Sequence, residues 1–294
     1  MSVSAEQPPD KTKQLVKVSA VVHDSTVKPG DTVQVGVVLD IAKDWHVYWP
    51  GQNDGGMPTD IKVLFTKADG GFRAGPVSFP VPKRYVLPGD ILDYVFEGKL
   101  VVTAPVKVPE TAKVGDKVLV GTRVSYLVCK EACLPGDAEV TTTFTIGEKT
   151  QPGPDAKVID DARAAQPKPE SEGFDAAATA KWEVTHASDS ASPDRPWTLV
   201  ITAKEKSVTR VTFFPAEGSA KLRDPIKSGE VKGDEAKKGE LRLTFEPGGK
   251  PVEGIVEIVS GNTSKAWSFR REWPKPPSGG GVPGSTPPAP ASVR

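Results

Sequence analysis

Hydrophobic and polar residues alternate with a period of two along much of this chain, which is the pattern of half-buried β-strands. Residues 32–41 (TVQVGVVLDI) show it best, and residues 117–128 (KVLVGTRVSYLV) and 138–146 (AEVTTTFTI) repeat it. Val and Thr are abundant in these runs, while Gly, Pro and Asp stand between them. Such runs predict short antiparallel strands packed as a β-sandwich. They do not alternate with helical segments, which counts against a Rossmann-type or thioredoxin-type fold.

The strand-like runs form two blocks, and the sequence between the blocks is of a different kind. The first block spans residues 14–148 and the second spans residues 172–273. Residues 149–171 are dominated by Pro and charge at their ends, and a short helix is predicted between those ends. We therefore predict an all-β protein in which a short connector joins two immunoglobulin-like β-sandwich domains. Residues 1–13 are expected to form a flexible start, and residues 274–294 have the Pro, Gly and Ser content of a linker.

Charge and composition exclude several classes of function. The chain has 38 Lys and Arg against 38 Asp and Glu, so no net charge favours nucleic acid or an acidic membrane. It lacks an apolar run of about eighteen residues, so no span of a bilayer is predicted. The first residues lack the apolar core of a signal peptide, which fits either a chain kept inside the cell or one whose leader is missing. With no nucleotide-binding glycine loop or histidine-rich motif in the sequence, no cofactor is expected.

Cys129 and Cys133 are the only cysteines, and they stand four residues apart in YLVCKEACLPG. Two strand-like runs flank them, so a hairpin would place them opposite each other, with Cα atoms about 4.5 to 5.5 Å apart. That spacing permits a disulfide. A structural bond closing so small a ring would contribute about 2 kcal/mol, against about 3 kcal/mol for a fifteen-residue loop. A reversible redox pair, a structural staple, two buried free thiols and metal ligands all remain open on these residues alone.

Four motifs resemble one known family. They are residues 45–63 (WHVYWPGQNDGGMPTDIKV), 79–85 (FPVPKRY), 94–102 (YVFEGKLVV) and 126–140 (YLVCKEACLPGDAEV). In this order they are similar to segments of the amino-terminal periplasmic domain of DsbD/ScsB-type thiol:disulfide interchange proteins. The sequence departs from the family pattern at Gly55-Gly56-Met57, where Ser-Gly-Leu is usual, and at Val95, where glycine is common.

The resemblance implies a function for the cysteine pair. Cys129 and Cys133 would pass electrons from a membrane-embedded donor domain to exported thioredoxin-fold proteins by thiol–disulfide exchange. Cys133 is the expected site of the mixed disulfide, with Cys129 resolving it. The resemblance also implies a periplasmic or exported location, with tethering to the inner membrane in the full-length protein. The second block and the proline-rich tail fit the family's larger members, which carry a second immunoglobulin-like domain before their membrane domain.

The same family shields its cysteines with an aromatic cap. The resemblance makes Tyr94 and Phe96 the cap candidates here, with Asp93 and Glu97 as nearby carboxylates that would take up or release a proton.

Three further residues are candidates for the lining of the site. They are His46, Tyr126 and Lys130. Lys130 would favour a neighbouring thiolate through its positive charge. His46 is interpreted mainly as a strand histidine among aromatic neighbours. The alternative function is a non-enzymatic copper-binding or protein-binding sandwich with a structural disulfide. In its copper form, His46, Met57 and the cysteines would supply soft ligands for Cu(I).

Overall fold

A computed structural model describes residues 12–65, 71–184, 197–205, 207–246 and 249–274. The predicted flexible start and the predicted linker tail lie almost wholly outside the described residues. The described part consists mainly of β-strands, as the alternating pattern predicted. None of its helices is both long and apolar enough to cross a membrane.

The first sandwich is built from two sheets that face each other. Its elements are α1 (Thr12–Leu15), β1 (Val16–Val22), β2 (Asp24–Val27), β3 (Thr32–Ile41), β4 (His46–Tyr48), β5 (Asp60–Phe65), β6 (Arg73–Ala74), β7 (Lys83–Leu87), β8 (Ile91–Glu97), β9 (Lys99–Lys107), β10 (Lys117–Cys129), β11 (Cys133–Ile146) and β12 (Gln151–Pro152). One sheet has the order β1-β3-β9-β6. The other has the order β12-β2-β11-β10-β4-β8-β7, with β5 also paired to β10. Every pairing is antiparallel except that of β2 with β11.

The connector is fastened to the first sandwich. It contains α2 (Ala156–Ala164) and β13 (Lys168–Pro169), and α2 lies where a short helix was predicted; α3 (Phe174–Ala177) follows at the start of the second block. Ile159 of α2 is fully buried against Gly36 of β3, where a Cβ atom would approach its side chain to 3.2 Å. Gln166 donates hydrogen bonds to the Ser78 carbonyl at 3.0 Å and to the Thr103 hydroxyl at 2.8 Å.

The second sandwich also has two sheets. Its elements are β14 (Ala178–Val184), β15 (Trp197–Ala203), β16 (Val208–Pro215), α4 (Pro225–Ser228), β17 (Glu230–Lys232), a 3₁₀ helix (Ala236–Lys238), β18 (Glu240–Phe245), β19 (Val252–Ser260) and β20 (Thr263–Arg271). The sheets have the orders β13-β20-β19-β16-β17 and β14-β15-β18. Their inner faces bury an aromatic-rich core that includes Phe174, Phe213, Phe245 and Phe269. The all-β, immunoglobulin-like fold class predicted from the sequence is confirmed.

The β10–β11 hairpin is the longest pairing in the first sandwich. Its register runs without a bulge from Lys117 opposite Thr145 to Cys129 opposite Cys133. Alternate residues of β10, including Val124, Tyr126 and Val128, face the core and are buried. The hairpin therefore carries both cysteines to its closed end in the opposed arrangement that the sequence predicted.

Candidate functional site

The two cysteines form a disulfide at the tip of the β10–β11 hairpin. Their Cα atoms are 4.2 Å apart, and they are the last opposed pair before the turn. Lys130, Glu131 and Ala132 make the turn, in which the Lys130 amide donates to the Ala132 carbonyl at 3.3 Å. The two paired strands and the short turn hold the two cysteines opposite each other.

The two sulfur-bearing residues differ sharply in their exposure. Cys129 is only 2% exposed and packs with Tyr48 and Val95 on the outer face of the sheet. Cys133, at the start of β11, is exposed. A protein that approaches this tip therefore meets Cys133 first, while Cys129 stays covered.

Three rings enclose the pair, and we call them the aromatic shell: His46, Tyr48 and Tyr85. The Tyr48 hydroxyl lies 3.9 Å from the Cys133 Sγ, and it lies 3.3 Å from Nε2 of His46. The centroid of the Tyr85 ring lies 4.8 Å from that of His46. Because a disulfide sulfur carries no hydrogen, the Tyr48 hydroxyl is the donor to Cys133. The Tyr48 hydroxyl also hydrogen-bonds Nε2 of His46, and the tautomer of the imidazole decides which of the two atoms donates.

Strand pairing brings the shell to the cysteines. The short strand β4 lies between β10 and β8, so that His46 is opposite Cys129 on one side and opposite Glu97 on the other. Two residues along, Tyr48 is opposite Val95 and projects from the same face as His46. The motif that contains His46 and Tyr48 is thus a structural partner of the motif that contains the cysteines.

Burial determines the protonation of the shell. Burial, together with the nearby Asp93 carboxylate and Tyr85, raises the pKa of Tyr48 to about 12. Tyr48 is therefore a neutral hydrogen-bond donor at physiological pH. Burial also lowers the pKa of His46, although the Glu97 and Asp93 carboxylates oppose that shift. His46 is therefore mainly neutral at pH 7.

A loop of residues 51–59, here called the cover loop, lies over this outer face. Gly56 lies flat against the Tyr48 ring, where a Cβ atom would come within 2.0 Å of two ring carbons. The Gly55 amide donates to the Asp93 carboxylate at 2.9 Å. The contact with the Tyr48 ring gives a physical reason for glycine at position 56, whereas a Cβ atom at position 55 would meet the Asp93 carboxylate at 3.3 Å. Met57, the next residue, is 59% exposed.

The structure does not bring the predicted cap rings to the cysteines. Tyr94 and Phe96 project from β8 into the core of the first sandwich, where they belong to the same buried cluster as Val47 and Val128. Cys129 faces the opposite side of the sheet. The expectation that Tyr94 and Phe96 shield the pair is corrected by this placement. Side chains along a strand alternate between its two faces, and Tyr94 and Phe96 are at positions of β8 that face the core.

The two predicted carboxylates do lie on the site face of β8. Asp93 is 1% exposed and is held by the cover loop, and it acts electrostatically on both His46 and Tyr48. Glu97 is opposite His46 and forms an ion pair of 2.8 Å with Lys83 at the surface.

The remaining lining candidates lie elsewhere. Tyr126 is buried on the core face, and its ring covers Gly136 on the neighbouring strand. Lys130 is exposed in the hairpin turn and forms a 3.5 Å ion pair with Asp44. Among the described residues, no group of three or more His, Cys, Asp or Glu side chains is arranged to hold a metal ion.

Sequence reasoning missed Tyr48 and Tyr85 as members of the shell. Both residues lie inside the quoted motifs. The alternation of side chains along a strand could have indicated which of the motif residues share a face with His46. Tyr48 shares a face with His46, two residues away, and the 79–85 motif ends at Tyr85. What the sequence did not show is that β8 joins β4 to β7, which is needed to place Tyr85 on His46.

Comparison with known proteins agrees with this geometry. Residues 12–145 match the family model described as "Thiol:disulfide interchange protein DsbD, N-terminal". The N-terminal periplasmic domain of ScsB from Proteus mirabilis has a similar solved structure, with a TM-score of 0.53 and 12% identity over 85% of this chain and 91% of that chain. The DsbD N-terminal domain of Neisseria meningitidis, in its reduced form, has a TM-score of 0.28 and 18% identity over 49% of this chain and 93% of that chain. No curated protein sequence matches this chain.

The first sandwich is therefore a domain of the DsbD N-terminal family, as the four motifs predicted. At 12% identity, the likeness to ScsB shows a shared fold that extends over both sandwiches. The disulfide and the family together support a thiol:disulfide interchange module.

Proposed function

We propose that the protein passes electrons through the Cys129–Cys133 pair to disulfides of partner proteins. The observation that carries this proposal is the asymmetry of the pair: Cys129 is buried beside the shell, and Cys133 is exposed at a hairpin tip. A structural staple gains nothing from an exposed sulfur. An interchange site needs one, because the attacking sulfur of a partner must reach the bond in line.

The exchange begins with the reduced pair. The Cys133 thiolate attacks one sulfur of the partner's disulfide, and a bond forms between Cys133 and that sulfur while the partner's other cysteine leaves as a thiolate. The Cys129 thiolate then attacks the Cys133 sulfur, which reforms the internal disulfide and releases the partner's second thiolate. Two electrons pass to the partner, which also takes up two protons from solvent. The internal pair is then oxidised, as it is in this structure.

Tyr48 assists at Cys133. Its hydroxyl remains protonated because burial raises its pKa to about 12, so it can donate a hydrogen bond to a sulfur atom that carries negative charge. The hydrogen bond with His46 Nε2 holds the Tyr48 hydroxyl in position. Cys129 has no solvent route of its own and serves as the resolving cysteine.

The proposed partners follow from the family. Thioredoxin-fold proteins would accept the electrons, a membrane-embedded domain would supply them, and the module would act in the periplasm. The second sandwich and the Pro-rich tail would link the redox domain to that membrane partner. The exposed tip, with Cys133 and the turn residues Lys130 and Glu131, is the surface that a partner would meet.

Trapping of the mixed disulfide tests this function. With Cys129→Ser, the mixed disulfide between Cys133 and a thioredoxin-fold partner cannot resolve and should accumulate. With Cys133→Ser, no comparable adduct should form at the buried Cys129. Mass spectrometry of the adduct identifies the bonded cysteine. Equal trapping by both variants would contradict the assigned roles, and trapping by neither would contradict the function.

A further inference from the structure

Arg84 of β7 reaches across to the second sandwich. Its guanidinium donates to the carbonyl oxygens of Pro225 and Ile226 in α4 at 2.8 and 3.1 Å, and it forms a 3.4 Å ion pair with Glu230 of β17. Both charged side chains are nearly buried, with 10% and 13% of their surfaces exposed. Buried charges with several partners hold their positions firmly. This contact therefore fixes β7 against the second sandwich.

The residue that follows Arg84 belongs to the aromatic shell. Successive side chains on a strand point to opposite faces, so Tyr85 projects away from the second sandwich and towards His46. Its ring lies 4.8 Å from the His46 ring, and it packs against the buried cluster of Tyr48, Val95 and Cys129. A displacement of β7 therefore moves one wall of the redox site.

The cover loop has a second set of contacts with the same sandwich. The Gln52 amide donates to the Pro215 carbonyl at 3.1 Å, and its side chain donates to the Ser219 carbonyl at 2.8 Å. Gly51 forms a β-bridge with Ala216. At its other end the loop presses Gly56 against the Tyr48 ring. The loop thus links the second sandwich to the side chain that contacts Cys133.

Apolar packing makes the junction between the sandwiches continuous. Phe214 and Ile255 of the second sandwich belong to the same buried cluster as the core of the first. The Tyr94 ring lies between them and the first core, 5.7 Å from Phe214 and 6.0 Å from Trp49. This packing gives Tyr94 a structural role at the junction, in place of the predicted role as a cap.

We propose that the second sandwich is a positioning element for the redox pair. It acts through Arg84 on Tyr85 and through Gln52 on the cover loop, and it thereby sets the geometry of the aromatic shell around Cys133. Arg84 and Gln52 are positioning residues, since neither one touches a sulfur atom. This proposal deepens the proposed redox function and rests on it.

The test uses the full chain with Arg84→Met and, separately, Gln52→Ala. Lys232 lies 3.4 Å from Glu230, so Arg84→Met does not leave the Glu230 charge without a partner. The rate at which dithiothreitol reduces the Cys129–Cys133 disulfide should fall on the order of tenfold in each variant, the size typical of groups that orient a reacting site. Circular dichroism establishes that each variant is folded, and Gln52→Ala carries the test if Arg84→Met is not.

A second readout reports on the shell itself. Burial is the main cause that lowers the pKa of His46, with Asp93 and Glu97 opposing it and the neutral Tyr48 and Tyr85 rings packed around it. Loosening the shell should therefore move the pKa of His46 up towards 6.5 in an NMR titration. This readout does not depend on any exchange reaction.

Matched controls separate positioning from general damage. Arg123→Met removes an ion pair of 2.6 Å with Glu139 on the cysteine hairpin itself, but that pair is exposed and does not reach the second sandwich. It should leave both readouts unchanged. In a Tyr85→Leu background, Arg84→Met should have no additional effect on the rate, because its route to the site has been removed.

The outcomes are distinct. Folded Arg84→Met and Gln52→Ala proteins with wild-type exchange rates and a wild-type His46 titration would overturn the positioning role, as would an undiminished Arg84→Met effect in the Tyr85→Leu background. A wild-type disulfide that does not exchange with dithiols would instead contradict the proposed function. In that case the His46 titration still decides whether the second sandwich shapes the shell.

Discussion

The two sandwiches share an architecture but differ in the polar groups that they bury. In the second sandwich, tryptophan N–H groups donate to backbone carbonyls, as Trp267 does to Glu172 at 3.1 Å, and Glu257 is paired with Arg210 at 3.0 Å. Trp267 belongs to the core of the second sandwich, while Glu257 lies on the outer face of β19 and its partner Arg210 is 43% exposed. In the first sandwich, His46 and Asp93 are buried outside the core, beneath a loop and beside a disulfide.

The comparison shows which features of the first sandwich, beyond the shared fold, form the candidate site. Both units obtain their stability from inward-facing strand residues, and in the first unit a glycine-rich loop also closes over the outer face of a sheet. Beneath that loop the Tyr48 ring is covered, and burial shifts the pKa values of both Tyr48 and His46. The fold is thus a scaffold, and the site lies in a hairpin tip and a cover loop added to it.

The largest expected effect is a loss of stability from a substitution in the second core that has no counterpart at the redox site. Phe213→Ala in the fully buried second core should lower the free energy of unfolding by about 3–5 kcal/mol, since it leaves a cavity. Tyr48→Phe keeps the ring and should change stability far less, while it slows thiol–disulfide exchange by roughly an order of magnitude through loss of the proton donor. Chemical denaturation and dithiothreitol kinetics on both variants measure the contrast. If both variants lost several kcal/mol of unfolding free energy and neither changed the exchange rate, the distinction between a structural second sandwich and a redox site in the first would be wrong.

The second effect sharpens the asymmetry within the first sandwich. In the reduced protein, exposed Cys133 should be alkylated by iodoacetamide on the order of 100-fold faster than buried Cys129, because the rate follows exposure and thiolate character. Peptide mapping after timed alkylation gives both rates. Comparable rates would show that Cys129 is not protected.

The third effect concerns the cover loop. Gly56→Ala places a methyl group within 2.0 Å of the Tyr48 ring, so the loop or the ring must move. Exchange should slow by roughly tenfold, as for other losses of orienting contacts. Gly218→Ala in the second sandwich is the matched control, because a Cβ atom there meets nothing within 4 Å. Equal exchange rates in Gly56→Ala and Gly218→Ala would contradict the claim that the cover loop shapes the site.

The smallest expected effect is a pH dependence of stability from His46. Its folded pKa is lowered by burial below 6.5, so the unfolded state binds a proton that the folded state does not. Stability from this residue is therefore fully present above pH 6.5 and is lost as the pH falls from 6.5 to the folded pKa. His46→Gln should flatten this part of the curve of unfolding free energy against pH. A curve that keeps its slope in the variant would assign the dependence to another group.

The sequence predicted the architecture well because the alternation of residues is dictated by burial. Strand β3 was found with its observed limits, and the facing cysteines followed from the two runs that flank them. Short β4 was missed, since three residues, all buried, carry no alternation. Residues 179–187 (TAKWEVTHA) also have the pattern of a strand; one is observed up to Val184, and residues 185–187 lie outside the described residues.

The site was predicted less completely, for a physical reason. A family motif locates a residue in the chain but does not fix the face of the strand on which it lies. Tyr94 and Phe96 were assigned to a cap, yet their parity on β8 directs them into the core. Asp93, on the alternate parity, does reach the shell. The contacts of Arg84 with Glu230 depend on how two domains pack, for which a local sequence pattern gives no signal.

The central claim is that the Cys129–Cys133 bond is opened and closed in function, and its equilibrium reduction potential tests that claim most directly. Titration of the full chain against dithiol and glutathione buffers, with thiols counted by mass spectrometry, gives this potential. The account predicts a value above about −300 mV, in the range of shuttling disulfides. A value well below about −300 mV would mark a structural bond and contradict the account.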